Sequence, residues 1–449
     1  MNNALETEKI PKLLIKFCIP SLASSLVTCL YNIVDQLFIG NQIGIYGNAA
    51  TSVVFPAVTF ISALSLMCGV GPSNMMNMSR GKGDLKTAAK SVAGGFVLML
   101  LLGLLCMIPM LLWTEPILLF FGCTETVLPY ALPYARVIAL GFVFSIIGAA
   151  GPFFIRADGA PSFSLFVVAS GAVLNMILDA LFIFGFGWGI RGAAWATFLA
   201  QLVSSILVFW YMRRRFHSFT LTAEDFRPDL PFYFKLCSVG AGPAFNFATQ
   251  AIVQIFLNTA LRKYGAASVY GSDVCLAVAG IANKVNTLAN ACVIGMTNGM
   301  QPITSYNFGR KNYKRVAETA KIVVRIVLVL GTVIFACYQL FPVPITALFG
   351  KGDELYFAFA GKFFRIFFML IPFYGLQSSV AGFFTSQGKV LQAITISLVR
   401  QIIFFPALLT LLPAFAGLDG VLWSGPASDA AMALTAGWLF LREIQRLEM

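Results

Sequence analysis

Charge is scarce in this chain. Of its 449 residues only 11% are Asp, Glu, Lys or Arg, while 58% are hydrophobic; a soluble domain carries roughly 25% charged residues. So little polar material cannot cover a water-facing particle of this size, and the mean hydropathy of +0.82 agrees. The sequence is that of an integral membrane protein. Histidine is reduced to His217 alone, and the nine cysteines lie in or beside apolar runs with no Cys-x-x-Cys pair. That excludes a disulfide framework and a Cys/His metal site. Glycine-rich stretches such as Gly69-Val70-Gly71 lack a Walker lysine, so no ATP and no organic cofactor is expected, and an ion gradient is the remaining energy source. The net charge of +12 forms no single patch. Its basic residues sit in short clusters between apolar runs, as in cytoplasmic loops, so nucleic acid is not an expected partner.

What is present is a series of apolar runs of about 20 residues, the length of a helix rising ~1.5 Å per residue across a ~30 Å hydrocarbon core. Barrel strands would be half as long and alternating. Twelve spans are predicted, at 13–40, 53–78, 91–113, 130–155, 162–184, 193–212, 232–259, 274–298, 319–341, 357–384, 391–412 and 420–441. The fold expected is all-α. With the N-terminus in the cytoplasm, 22 Lys and Arg fall inside against 7 outside, leaving Lys284 and Arg400 within spans. The opposite orientation inverts that ratio, so both termini are expected in the cytoplasm. The polar segment Met1 to Lys16 runs into a first span holding Asn32 and Asp35, which does not suit a removed signal peptide.

The longest polar connection, Arg213 to Pro231, divides the chain almost equally, and the halves match in places. Pro20 corresponds to Pro243, and Ser79-Arg80-Gly81-Lys82-Gly83-Asp84 to Asn307-Phe308-Gly309-Arg310-Lys311-Asn312, at offsets of 223 and 228 residues. Two duplicated six-helix units are therefore expected, 1–220 and 221–449, related by an axis along the membrane normal with substrate held between them.

Acids inside spans are few: Asp35, Asp179 and Asp429, out of 19 Asp and Glu. Each costs ~2.5–3.5 kcal/mol when central in a membrane helix, which makes it a functional candidate. Asp35 lies about 18 residues beyond Phe17, Asp179 about as far beyond Ser162, and Thr197 about one turn from the outer end of span six; at ~1.5 Å per residue all three share the outer half. Asn175 and Asp179, spaced i, i+4, share a helix face. Two carboxylates, an amide oxygen and a hydroxyl can coordinate Na⁺, or hold one proton between like charges, or tie helices together structurally. No basic residue lies in that layer to neutralise a structural pair. Span seven carries Asn246, Gln250, Gln254 and Asn258 at i+4 spacing, and span eight carries Asn283, Asn286 and Asn290; with Asn32 they either line a substrate path or bond helix to helix. Lys284, Arg400 and Asp429 each sit some ten residues into their spans, so one midplane cluster in the second half is expected.

Several of these residues fall in motifs that resemble the multidrug and toxin extrusion (MATE) family. They are Ile19-Pro20 with Tyr31-Asn32-Ile33-Val34-Asp35, Asn175 through Asp179, Gly192-Ala193-Ala194-Trp195-Ala196-Thr197, Gln301-Pro302 through Asn307-Phe308-Gly309, and Ser397-Leu398-Val399-Arg400-Gln401. The resemblance spans essentially the whole chain. It implies a V of two six-helix lobes, a monomer in the bacterial inner membrane, and antiport of organic cations or amphipathic drugs against H⁺, Na⁺ or both. It also implies a cation site at Asp35, Asn175, Asp179 and Thr197 and a helix bend at Pro20. Some branches place carboxylates in spans seven and ten. Here span seven offers Gln254 and Asn258 and span ten no acid, so coupling is expected in the first half alone. A lipid-linked precursor flippase of the wider superfamily, or a membrane receptor or sensor, is the alternative.

Overall fold

The computed structural model describes residues 4–43, 45–348 and 353–449. All their regular structure is helical. After a short N-terminal turn, Ala4–Thr7, the first half contains α1 (Ile10–Ile43), α2 (Ile45–Lys82), α3 (Leu85–Leu112) and α4, bent by 52° between Leu128–Leu140 and Phe142–Ala157. α5 (Pro161–Asp179) ends in a π-helical turn, Ala180–Gly185, and α6 spans Gly189–Arg214. The second half repeats the plan: α7 (Leu230–Ala266), α8 (Gly271–Gly309), α9 (Tyr313–Leu340), and α10, bent by 49° between Glu354–Phe367 and Ile371–Ser386. α11 begins at Val390–Leu398, widens into a π-helical turn at Val399–Phe404 and continues to Gly417. There a φ of 55°, a value that favours glycine, breaks the chain, and α12 follows over 418–448.

Twelve helical columns result among the described residues. Seven helical stretches of these residues are long and apolar enough to span a membrane, nine if each bent pair counts as one, and the last of the seven is the α11–α12 stretch folded at Gly417. α7 and α8 are long enough, at 37 and 39 residues, yet fail on polarity. They are the helices that carry the Asn and Gln ladder, whose side chains need polar partners instead of lipid. The expected boundary at residues 220 and 221 falls in the connection between α6 and α7. Its far end is fixed by Asp229, which caps α7 by accepting from Phe232 N at 3.1 Å and pairs with Lys90 of α3 at 2.5 Å.

The halves are joined at the end that carries the basic loops. Leu5, Ile10, Leu13, Leu14, Phe17 and Cys18, at the start of the first half, are buried in a core built from α8 to α12. Reciprocally, Tyr233 and Leu236, at the start of α7, are buried in the core of α2 to α6. Each half thus begins inside the other. Glycine permits the close approach: a Cβ on Gly71 would sit 2.2 Å from Leu236 O, and one on Gly299 2.5 Å from Cys18 Cα. The matched pair Gly81 and Gly309 packs reciprocally, at 2.1 Å from Tyr306 O and 2.0 Å from Met78 O. All four glycines obey the 228-residue offset. Asn74 Nδ2 donates across the same seam to Gln301 Oε1 at 3.1 Å. Toward the opposite end of α8, Gly280 is exposed, and nothing lies within 4 Å of a Cβ built on it.

Candidate functional site

Asp35, on α1, and Asp179, the last α-helical residue of α5, are brought within hydrogen-bonding reach of each other. Asn175, one turn before Asp179, donates from Nδ2 to Thr197 Oγ1 of α6 at 3.4 Å. The four residues that the motifs singled out therefore form one site within the first half, built from three helices. Asp179 and Asn175 are buried and Asp35 is half-buried.

Each of these four side chains carries an oxygen. Asp35 Oδ1, Asn175 Oδ1 and both carboxylate oxygens of Asp179 are buried with no hydrogen-bond donor, and no Lys or Arg comes within 4.0 Å of either acid among the described residues. Two carboxylates that face each other in a low dielectric are stable only if a proton or a cation lies between them. Hard oxygen donors of this kind suit Na⁺, and the same oxygens suit a shared proton.

Around the site the packing restricts access. One turn beyond each acid, Ile39 and Ile183 meet Ala193 in a small buried cluster, with Phe38 and Phe184 edge to face at 5.4 Å. The π-helical turn that starts at Ala180 places Ile183 there; such widened turns often mark functional sites. Tyr134, buried at the start of α4, lies within electrostatic reach of both carboxyls. Sequence reasoning passed over it, because a tyrosine in a span carries no cost that draws attention. Its depth in span four was the available signal. Asn32 stays on the exposed side of α1, where it donates to Thr28 O at 2.8 Å. Pro20 lies inside α1, which runs on through it, and its missing N–H leaves the Lys16 carbonyl without its helical donor.

In the second half the polar ladder gathers around a cavity of about 120 Å³ between α7, α8, α10 and α11. Gln250, Gln254, Asn283 and Asn290 line it, as does Gln401, and Phe363, Phe367 and Tyr374 form an aromatic wall. Asn246 accepts from Gln250 at 3.2 Å and from Gln401 at 3.3 Å, while Gln254 donates to Asn258 at 2.9 Å. Both readings of the ladder thus have members: Asn246 bonds from helix to helix through Gln401, while Gln250, Gln254, Asn283, Asn286 and Asn290 line the cavity; Asn258 bonds within α7, and Asn32 lies in the first half, away from both.

The expected three-membered charge cluster is corrected. Arg400 holds Asp429 at 2.6 Å and stacks its guanidinium 4.8 Å from the Tyr374 ring centroid. Lys284 is exposed and has no carboxylate within 4.0 Å among the described residues. Equal depth brought the two paired residues together, but Lys284 is turned about 100° from the cavity-lining Asn283, the angle of one helical residue.

Against known proteins, a family model described as MatE matches residues 20–181 and 244–408. The multidrug export protein MepA of Staphylococcus saprophyticus is 24% identical over 436 residues, covering 96% of this chain and 93% of that one. MepA of Staphylococcus aureus strain MRSA252 is 23% identical over the same length, with the same coverage. The structure of a multidrug resistance MATE family transporter in an outward-facing conformation is similar with a TM-score of 0.91, at 22% identity, covering 99% of this chain and 98% of that chain.

Proposed function

The chain belongs to the MatE family, and from that premise we propose that it is a cation-coupled antiporter that exports organic cations or amphipathic compounds by alternating access. The observation that carries this reading is the set of buried oxygens at Asp35, Asn175 and Asp179, which have no donor and no base beside them among the described residues. Such a set favours a cation or proton over an empty state, so it can bind a coupling ion and release it when its surroundings change.

With the basic end in the cytoplasm, as the positive-inside rule requires, the glycine seam closes the cytoplasmic side, and on this reading the site is reached from the other side. Na⁺ or H⁺ then enters from outside, neutralises the acids and favours closure there. Separation of the seam at the basic end gives drug access from inside. The aromatic and amide-lined cavity of the second half offers a place for part of the substrate. We assign the protein to the bacterial inner membrane, where a monomer suffices because both lobes are in one chain. A flippase for anionic lipid-linked precursors is less well supported, since the one Arg of that cavity is already neutralised by Asp429.

Proteoliposomes with separately imposed Na⁺ and pH gradients test the proposal. Uphill movement of a cationic dye under at least one gradient is expected, and the driving ion should weaken dye binding reciprocally. Dye flux indifferent to both gradients would sink the proposal.

A further inference from the structure

A cavity of about 490 Å³ opens at the basic end of α12, far along the chain from the acid site, lined by Gln392, Leu439, Arg442, Gln445 and Arg446 over the buried Phe384. Its charge is unbalanced for a local reason. The two acids on this stretch are already held by lysines from elsewhere in the chain: buried Glu443, which also lines the cavity, by Lys389, and Glu448 by Lys321 at 2.5 Å. Arg442 and Arg446, one helical turn apart and both exposed, have no carboxylate within 4.0 Å among the described residues.

Arg442 stands instead 5.4 Å from the ring centroid of Trp438, one turn earlier. Trp438 is exposed, and so are Leu434 and Leu441 beside it, at 77% and 61%. Exposed leucines, then an exposed tryptophan, then unpaired arginines is the order of environments from hydrocarbon to headgroup. At the helical rise, Arg442 and Arg446 stand ~6 and ~12 Å beyond Trp438, the depth of lipid phosphates. A soluble phosphate would satisfy the two guanidinium groups and leave the leucine and tryptophan surface bare.

We infer that this cavity binds the headgroup of an anionic phospholipid, with the phosphate between Arg442 and Arg446 and the acyl chains along Leu441 and Trp438. Gln392 and Gln445 supply hydrogen bonds to headgroup hydroxyls. A choline headgroup carries its own cation toward two arginines, so the site discriminates against it. The assignment is independent of the transport reading: it uses the other lobe, the other sign of charge and the other end of the molecule.

Native mass spectrometry of the full chain in detergent, titrated with phosphatidylglycerol or phosphatidylcholine, tests it. The double variant Arg442→Gln/Arg446→Gln should bind phosphatidylglycerol about thirtyfold more weakly, two interfacial basic side chains at ~1 kcal/mol each. Binding of phosphatidylcholine should be weak and equal in both proteins. The charge-matched control Arg213→Gln/Arg214→Gln, at the same end, should keep wild-type affinity, and R442K/R446K should stay within about threefold of it. Excess inorganic phosphate should not displace the lipid. The inference is overturned by wild-type affinity in R442Q/R446Q, by an equal loss in the control, by a thirtyfold loss in R442K/R446K, or by displacement with inorganic phosphate.

Discussion

In the first half two carboxyls, Asp35 and Asp179, meet with no base beside them among the described residues; in the second, on the corresponding fifth helix, Arg400 reaches Asp429 at 2.6 Å. Both fifth helices widen into a π turn at this level, over Ala180–Gly185 and Val399–Phe404. The two halves share the order of their helices and differ in this chemistry. A site that must bind and release a cation has to stay unneutralised, whereas a buried pair that neutralises itself is fixed and gives its helices a constant charge state. At the basic end the halves remain alike, with Gly81 and Gly309 in reciprocal contact.

The largest effect should come from abolishing the difference on the acid side. Asp35→Asn and Asp179→Asn should each bring gradient-driven export to background in proteoliposomes while the protein still folds, whereas Thr197→Ala, which removes one neutral ligand, should keep partial activity. Wild-type rates in both Asn variants at equal reconstitution would make the two halves chemically equivalent.

Next comes the paired side. Asp429→Asn should destabilise by about 3–5 kcal/mol, because it leaves Arg400 buried and unpaired, and Arg400→Gln added to it should recover most of the loss. Lys284→Gln should only add its own small effect to that of Asp429→Asn, since the two side chains do not meet. Thermal melts in detergent measure all of these, and a strong coupling between Lys284 and Asp429 would restore the three-membered cluster.

Likeness at the basic end predicts equal consequences. Gly81→Val and Gly309→Val should each cost about 1–3 kcal/mol of overpacking and shift the population away from the state closed at that end. Spin labels across the seam would show it, and a marked inequality would mean that the contact is not reciprocal in solution.

The smallest expected difference is at the caps of α3 and α9, 228 positions apart. Asp84 accepts from Thr87 N at 3.0 Å, whereas Asn312 makes no such bond. The Thr87 hydrogen bonds hold the Asp84 carboxyl below its usual range, with help from Lys82 and Lys86. A carboxyl depressed in the folded state stabilises above its unfolded value and loses that contribution as pH falls through the folded one. Asp84→Ala should therefore cost at most about 1 kcal/mol at neutral pH, reduced by solvent screening, and less in acid. Asn312→Ala should cost less and show no such dependence in pH-resolved melts.

Hydropathy made the twelve columns legible, since each apolar run must form helix in lipid and the observed helices enclose the predicted spans with few exceptions. It could not show the bends in α4 and α10, or the π turns, which arise from packing. Asp35, Asn175, Asp179 and Thr197 were readable because an acid in a span is costly and the i, i+4 spacing fixes a face. Lys284 was misplaced because depth fixes height on a helix and leaves its azimuth free. The exchange of helix starts between the cores left no mark in composition: Phe17 and Leu236 are ordinary apolar residues wherever they are buried.

That exchange bears on how the chain is made. The Leu5 carbonyl accepts from Asn307 Nδ2 at 3.0 Å, across 302 positions, and Arg315 donates to the same carbonyl and to that of Glu8. A ribosome adding roughly 5–20 residues per second delivers Asn307 about 15–60 s after Leu5. For that interval the first segment waits at the membrane surface without its partner, and the first half cannot finish its own assembly. The segment from Leu5 to Cys18 is thus made long before the helices it packs on and is among the last to settle, which makes completion of the second half the event that locks it.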